Sequence, residues 1–290
     1  MISRSTFLHL RIPFSLFLLP FFLFAASQAE AIHITNLVLA FIIIHFLFYP
    51  SSNGFNSYYD KDEDSIGGLK KPPPVKKELL IVSLLLFAFS LILGLFINTA
   101  FAAMVLVLGL ASKAYSHPSI RLKKLPITGL IVVALFQGSY TYMMSFLAIS
   151  DCSLEGLMTE RNLWAGTLCS LMLFGSYPMT QIYQHSEDAR RGDMTFSRLL
   201  GITGTFSWTA AVFGLCMIGF AYFFNRYYGL LTTALFIVAM LPVMTYFFKW
   251  FYLTAMKGKP VTYEFAMRLN LLSSMGFIIF FASLILYRAC

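Results

Sequence analysis

The stretch NSYYDKDED, residues 56–64, crowds Asn56, Asp60, Asp62, Glu63 and Asp64 into nine positions. Carboxylate and carboxamide oxygens at this density are hard ligands, suited to a cation such as Mg²⁺. Asn56, Asp60 and Asp64 stand four apart, so a continuous helix would align them on one face and turn Asp62 to solvent. Like charges at that spacing repel, and a divalent cation resolves the conflict. An EF-hand loop does not fit, because Ser65 stands where the sixth-position Gly belongs and Lys71 where the twelfth-position Glu belongs. A plain solvated loop balancing nearby lysines is the competing reading.

A second acidic stretch weighs against that bland reading. QIYQHSEDARRGDMT, residues 181–195, carries Glu187, Asp188 and Asp193, so seven of the 13 acidic residues fall in two short segments. Lys70, Lys71, Arg121, Lys123, Arg190 and Arg191 lie around them, cations suited to phosphate oxygens. Mg²⁺ held by one or two carboxylates fills its remaining positions with water and substrate phosphates. Acid and base together at a membrane surface therefore suggest a phosphate or diphosphate head group, with apolar helices housing a lipid tail.

The elements that must position these groups are membrane helices. The 290 residues are 58% hydrophobic and 12% charged, about half the charge of an ordinary soluble domain. Nine apolar runs are long enough to cross a bilayer: 12–29, 32–52, 78–97, 99–114, 126–149, 162–182, 199–224, 228–248 and 268–287. They predict one all-α, polytopic membrane domain over residues 1–290. With the N-terminus on the cytoplasmic side, 18 of the 21 Lys and Arg residues fall on that side and three on the other. Such a split follows the positive-inside bias and places both acidic stretches at the cytoplasmic face of a plasma (inner) membrane. It also explains the net charge of +8 without a nucleic-acid partner. No acid falls near the middle of a span, which argues against an ion-coupled transporter.

Other features read more plainly. Cys152, Cys169, Cys216 and Cys290 show no ligand spacing. Ala29-Glu30-Ala31 resembles a signal-peptidase site, but the next apolar run follows at once, so an uncleaved first span is expected. His45 and Gln137, inside spans, suit hydrogen bonds between helices. His185 reads as a phosphate or solvent contact. Arg11, at the mouth of the first span, suits either diphosphate or the membrane edge.

Taken together, these motifs resemble the UbiA superfamily of intramembrane prenyltransferases. Asn56-xxx-Asp60-xxx-Asp64 is similar to its first aspartate-rich motif, and DARRGDMT, with Asp188, Gly192 and Thr195, to the later part of its second. AYSHPSIRLKKLP, residues 114–126, resembles the family's tyrosine-and-lysine loop, and RIPFSLFLLP its usual opening. The resemblance implies nine helices around a central cavity that opens laterally to lipid. It implies Mg²⁺-dependent transfer of a polyprenyl group from its diphosphate to a small acceptor, often an aromatic or quinone-precursor ring. Asn56, Asp60 and Asp64 would hold one metal, and Asp188 would help hold the other. Tyr115 and Lys123 would face the diphosphate. The chain departs from the family at Gln184, where an Asp is usual; Gln184 offers a carbonyl oxygen without charge, and Glu187 or Asp193 is placed to compensate.

On this reading Asp60, Asp64 and Asp188 are the catalytic set. Lys70, Lys71, Tyr115, Arg121, Lys123 and Arg191 would bind diphosphate. Tyr140 and Tyr142 offer aromatic faces to an allylic cation. Two alternatives stand beside it: phosphoribosyl transfer to a polyprenyl phosphate, and a non-catalytic membrane protein that binds cations or lipid. No obligatory protein partner is inferred.

Overall fold

The computed structural model describes residues 2–150 and 152–289, so Cys290 lies outside the described residues. These residues form ten helices and no strand, with only an isolated bridge between Ile66 and Leu69. In chain order they are α1 (Arg4–Gln28), α2 (Ile34–Asp60), α3 (Glu78–Leu95), α4 (Thr99–Ser116) and α5 (Pro126–Ser150). They continue with α6 (Glu160–Gln181), the short α7 (His185–Arg191), α8 (Phe196–Tyr228, interrupted at Gly201, where φ is 68°), α9 (Leu230–Lys257) and α10 (Tyr263–Ala289).

Eight helices among the described residues are long and apolar enough to cross a membrane. The expected sixth span, α6, has 22 residues but does not reach that hydropathy, because Thr167, Ser170, Ser176, Tyr177, Pro178 and Thr180 lower it. Its position explains the polarity: α6 packs against α5 and α8, and Ser176, Thr180 and Gln181 face an internal cavity rather than lipid.

Several helices are broken where the sequence forbids a regular ladder. Arg11 takes a left-handed conformation (φ 47°) just before Pro13, and a 3-10 turn at Leu16–Leu18 precedes Pro20. Pro50 removes an amide donor from α2, and the preceding Ile43–Phe48 segment widens into a π-helix. A second π segment, Ala134–Tyr140, lies in α5. Phe48 and Phe136, one from each widened segment, line the cavity.

Packing follows membrane rules. Large apolar side chains such as Ile218, Leu230 and Phe96 are exposed outward, whereas aromatic groups fill the interior. Phe24 of α1 stacks on Phe281 of α10 at 4.6 Å and meets Phe220, Phe223 and Phe224 of α8. Where lipid is as apolar as the side chains, helices associate by close approach at small residues. Gly138 allows this between α5 and α6: an added Cβ would stand 2.7 Å from the Ser170 backbone.

Candidate active site

The C-terminal turns of α2 present Asn53, Asn56 and Asp60 to a cavity of about 300 Å³. Asn56 Nδ2 donates to Ser116 Oγ at 2.9 Å, which orients the amide and leaves its carbonyl oxygen for another partner. Asp60 is 6% exposed and forms an ion pair with Lys123; the Arg121 guanidinium stands 3.8 Å away. Asp60 Oδ1 is buried, and despite this charge contact it lacks a hydrogen bond of proper geometry.

The helix stops at Asp60 instead of running on to Asp64. Lys61 adopts a left-handed conformation (φ 50°), and its amide closes the last turn on Ser57 O at 2.9 Å. This single residue redirects everything after it. Asp62, expected in solvent, lines the cavity at 10% exposure and pairs with Arg191 at 2.6 Å. Asp64, expected beside Asp60, is 54% exposed, stands outside the cavity and pairs with Arg190. Burial pushes the Asp62 carboxyl above the usual carboxylate range, reinforced by Asp60 and opposed by Arg191. The hydrogen bond from Arg190 pulls that of Asp64 below it.

Helix α7 supplies the opposing wall and ends on Gly192, whose φ of 71° suits a residue without Cβ. Asp188 lines the cavity and accepts a hydrogen bond from Thr195 Oγ1 at 3.0 Å through Oδ2. Burial pushes its carboxyl up to about 6 against the opposing Thr195 bond. Gln184 also lines the cavity, but its amide donates to Ser65 O at 3.0 Å. Glu187 is not a cavity residue and does not stand in for the missing Asp. It is buried, accepts from the Asp64 and Glu63 backbone amides at 3.0 and 3.4 Å, and pairs with Arg190 at 3.0 Å and Arg191 at 2.6 Å. It thus ties the α2–α3 loop to α7. Asp193, the other candidate substitute, reaches the cavity wall but is held by Arg121 through bonds of 3.1 and 2.8 Å.

The expected diphosphate contacts divide the same way. Tyr115, Lys123 and Arg191 line the cavity, and the Tyr115 hydroxyl touches that of Tyr177. Arg121 backs the wall through Asp193. Lys70 is 64% exposed and pairs with Glu264, and Lys71 is exposed; neither lines the cavity, because the Ile66–Leu69 turn carries them outward. Tyr140 and Tyr142 face away: their hydroxyls donate to Met104 O and Asn162 Oδ1 at 3.1 and 3.0 Å. Phe17, Phe21, Tyr49, Phe136 and Phe277 supply the cavity's aromatic faces instead. His185 bonds Ser197 Oγ at 2.7 Å, and His45 Nδ1 donates to Ser15 O at 3.1 Å, joining α2 to α1 as expected for a histidine between helices.

Arg11 is more deeply involved than its sequence position suggested. Its Nη1 and Nη2 donate to Gly67 O at 3.1 Å and Asn53 O at 3.3 Å, its Nε is buried without a partner, and it lines the cavity. The Gly67-Gly68 pair is what lets the loop settle here, since a Cβ on Gly67 would meet the Phe14 ring at 2.5 Å. No periodicity signals Arg11; the Pro13 that follows it is the one local hint of a break.

The cavity is therefore polar at one end, where Asp60, Asp62, Asp188 and Asp193 face Arg11, Lys123 and Arg191, and apolar at the other. Arg121, behind the wall, holds Asp193, so the four carboxylates meet four cations, with Lys123 on Asp60 and Arg191 on Asp62. Among the described residues no three His, Cys, Asp or Glu side chains form a complete metal cage. A Mg²⁺ ion does not need one, because phosphate oxygens and water complete its shell. The buried Asp60 carboxylate, now held by Lys123, and the carbonyl oxygen of Asn56 are hard donors of the kind such a cation takes.

Comparison with known proteins agrees with this architecture. A UbiA homologue from Archaeoglobus fulgidus, solved with GPP and Mg²⁺, is 18% identical with a TM-score of 0.68 over 97% of this chain and 99% of its own. The apo UbiA homologue from Aeropyrum pernix K1 is 19% identical, with a TM-score of 0.68 over 92% and 98%. A digeranylgeranylglyceryl phosphate synthase structure is 16% identical, with a TM-score of 0.60 over 97% and 98%. At these identities the likeness establishes the fold. No curated protein matches by sequence. The model of the UbiA prenyltransferase family, however, matches residues 17–272, and the chain belongs to that family of integral membrane prenyltransferases.

Proposed function

We propose that this protein transfers a polyprenyl group from its diphosphate to a small acceptor, an aromatic or quinone-precursor ring, within the membrane. The observation that carries the reading is that Asp60 and Asp62 line the same cavity as Asp188, more than 120 positions away. In this reading a divalent cation stands between the carboxylates and the diphosphate, which would otherwise repel each other. Asn56, Asp60 and Asp188, with the carbonyl of Gln184, would hold Mg²⁺. When bound, it supplies the positive charge that stabilises the departing diphosphate.

The chain's own groups do the rest. Lys123 and Arg191 line the polar end and offer donors to diphosphate oxygens as negative charge develops there. Tyr115 and Tyr177 bound the same space. Below them Phe17, Phe21, Phe136 and Phe277 exclude water from the allylic fragment, which water would otherwise capture, and present ring faces to its positive charge. Asp64 reaches the cavity only if the turn at Lys61 reorganises, so it stands outside the proposed ligand set.

The test is diphosphate release by purified protein in detergent from dimethylallyl or geranyl diphosphate. Release with Mg²⁺, lost on adding EDTA and restored by excess Mg²⁺, is expected. Consumption of a phosphoribosyl diphosphate while the prenyl donors stay intact would replace this reading with phosphoribosyl transfer. No consumption of either would remove the catalytic assignment.

A further inference from the structure

The positive-inside split leaves three cations, Arg161, Arg226 and Arg288, at the end of the helices opposite the acids, and the fold gathers all three in one place. Arg161 lies in the first turn of α6, while Arg226 and Arg288 lie in the last turns of α8 and α10. The Arg161 guanidinium stands over the Tyr227 and Tyr228 rings at 5.2 and 5.0 Å, and that of Arg226 over Tyr227 at 5.7 Å. Arg161 Nε donates to Gln28 Oε1 at 3.0 Å and Nη2 to the Tyr228 hydroxyl at 2.5 Å. That hydroxyl and Arg288 Nη1 both donate to Ser27 O, at the C-terminal end of α1. Like charges drawn together in this way repel. Glu160 pairs with Arg226 at 3.0 Å, but among the described residues no carboxylate pairs with Arg161 or Arg288, whose partners are neutral oxygens. Glu30, two positions beyond Gln28, is exposed and pairs with neither.

We propose that this three-arginine patch binds the headgroup phosphate of an anionic phospholipid in the leaflet opposite the acids. The phosphate supplies the countercharge that Arg161 and Arg288 lack, through charge-assisted bonds from guanidinium to oxygen. Arg161 Nη1 and Arg288 Nη2 make no hydrogen bond to the described residues and are left for it. The surroundings select a lipid over a soluble anion. Trp164, Tyr222 and Tyr287 are exposed, each within about one helical turn of one of the arginines, and such amphipathic rings sit at headgroup level. The Trp164 and Tyr222 rings meet at 5.7 Å, so α6 and α8 share one aromatic edge. On α8, Leu215, Ile218, Tyr222 and Arg226 follow helical spacing along one exposed face. That face runs from a charged top to an apolar flank, the polarity of a phospholipid.

The experiment offers the purified protein in detergent dioleoylphosphatidylglycerol or dioleoylphosphatidylcholine and measures the lipid retained by native mass spectrometry. Preferential retention of phosphatidylglycerol is expected. Arg288→Gln, at an exposed helix end, should weaken it about fivefold, the scale of one cation at an anionic surface, and Arg161→Gln by at least as much. Lys76→Gln combined with Lys77→Gln, at the opposite end, should leave this lipid in place. Equal retention of the two lipids, unchanged retention in both arginine variants, or loss in the lysine variant instead would overturn the proposal. Melting temperatures separate a lipid from a soluble anion and from a mere tie between helices. Phosphatidylglycerol should raise the melting temperature of the parent and raise that of the arginine variants less, whereas glycerol phosphate should raise neither. Glycerol phosphate acting as well as the lipid would assign the patch to a soluble anion. An equal rise with phosphatidylglycerol in parent and variants would leave the arginines as helix ties alone. Either result overturns the lipid site.

Discussion

Asp60 is the side chain whose surroundings demand the most explanation. It is almost fully buried, and the oxygen that Lys123 contacts, with Arg121 3.8 Å away, is the one a divalent cation would have to share. Asp60→Asn should lower turnover by about 100-fold, the common scale for losing one electrostatic stabiliser. The variant should elute in detergent as the parent does; near-parental rates would remove Asp60 from the site. Gln184 is the natural counter-test. Gln184→Asp adds a carboxylate beside Asp188 and gives up the bond to Ser65 O, so Mg²⁺ affinity measured by titration calorimetry should hold or increase. A clear loss of affinity would show that the tether to Ser65 matters more than the added charge.

The local devices that shape the site belong to whole segments. A left-handed turn at Lys61, the Glu187 tie between two loops and the Gly138 contact each set where a segment lies. Glu187→Ala leaves two backbone amides and two guanidinium groups short of an acceptor, a loss of about 1–3 kcal/mol in local stability. Amide exchange at Glu63 and Asp64 should then accelerate roughly 10- to 100-fold, with exchange in α9 unchanged. Equal protection in variant and parent would show that the loop stands without the tie. Gly138→Ala forces a methyl group into the Ser170 backbone, and overpacking of this kind costs about 1–3 kcal/mol. A lowered melting temperature in detergent is expected; an unchanged one would mean that α5 and α6 separate freely.

At the scale of the molecule, every long helix contributes to one polarised body with its charged mouth at one end. The positive-inside bias predicts that this mouth faces the cytoplasm. In a cysteine-free background, Lys71→Cys should react with a membrane-impermeant maleimide in inverted vesicles only, and Glu155→Cys in intact cells only. The reverse pattern would invert the orientation. Hydropathy alone determined that the chain crosses the membrane repeatedly, because burial in lipid requires long apolar runs whatever their partners. Motif spacing alone determined which loops hold the acids and bases. It could not say which of those side chains face inward. Asp62 and Asp64 exchanged their expected places because one left-handed residue rotates all that follow it, and no periodicity records such a turn. The burial of Arg11 against Gly67 and Asn53 and the tie from Glu187 to the Glu63 and Asp64 amides depend on contacts between segments far apart in the chain, which only the packed tertiary structure brings together.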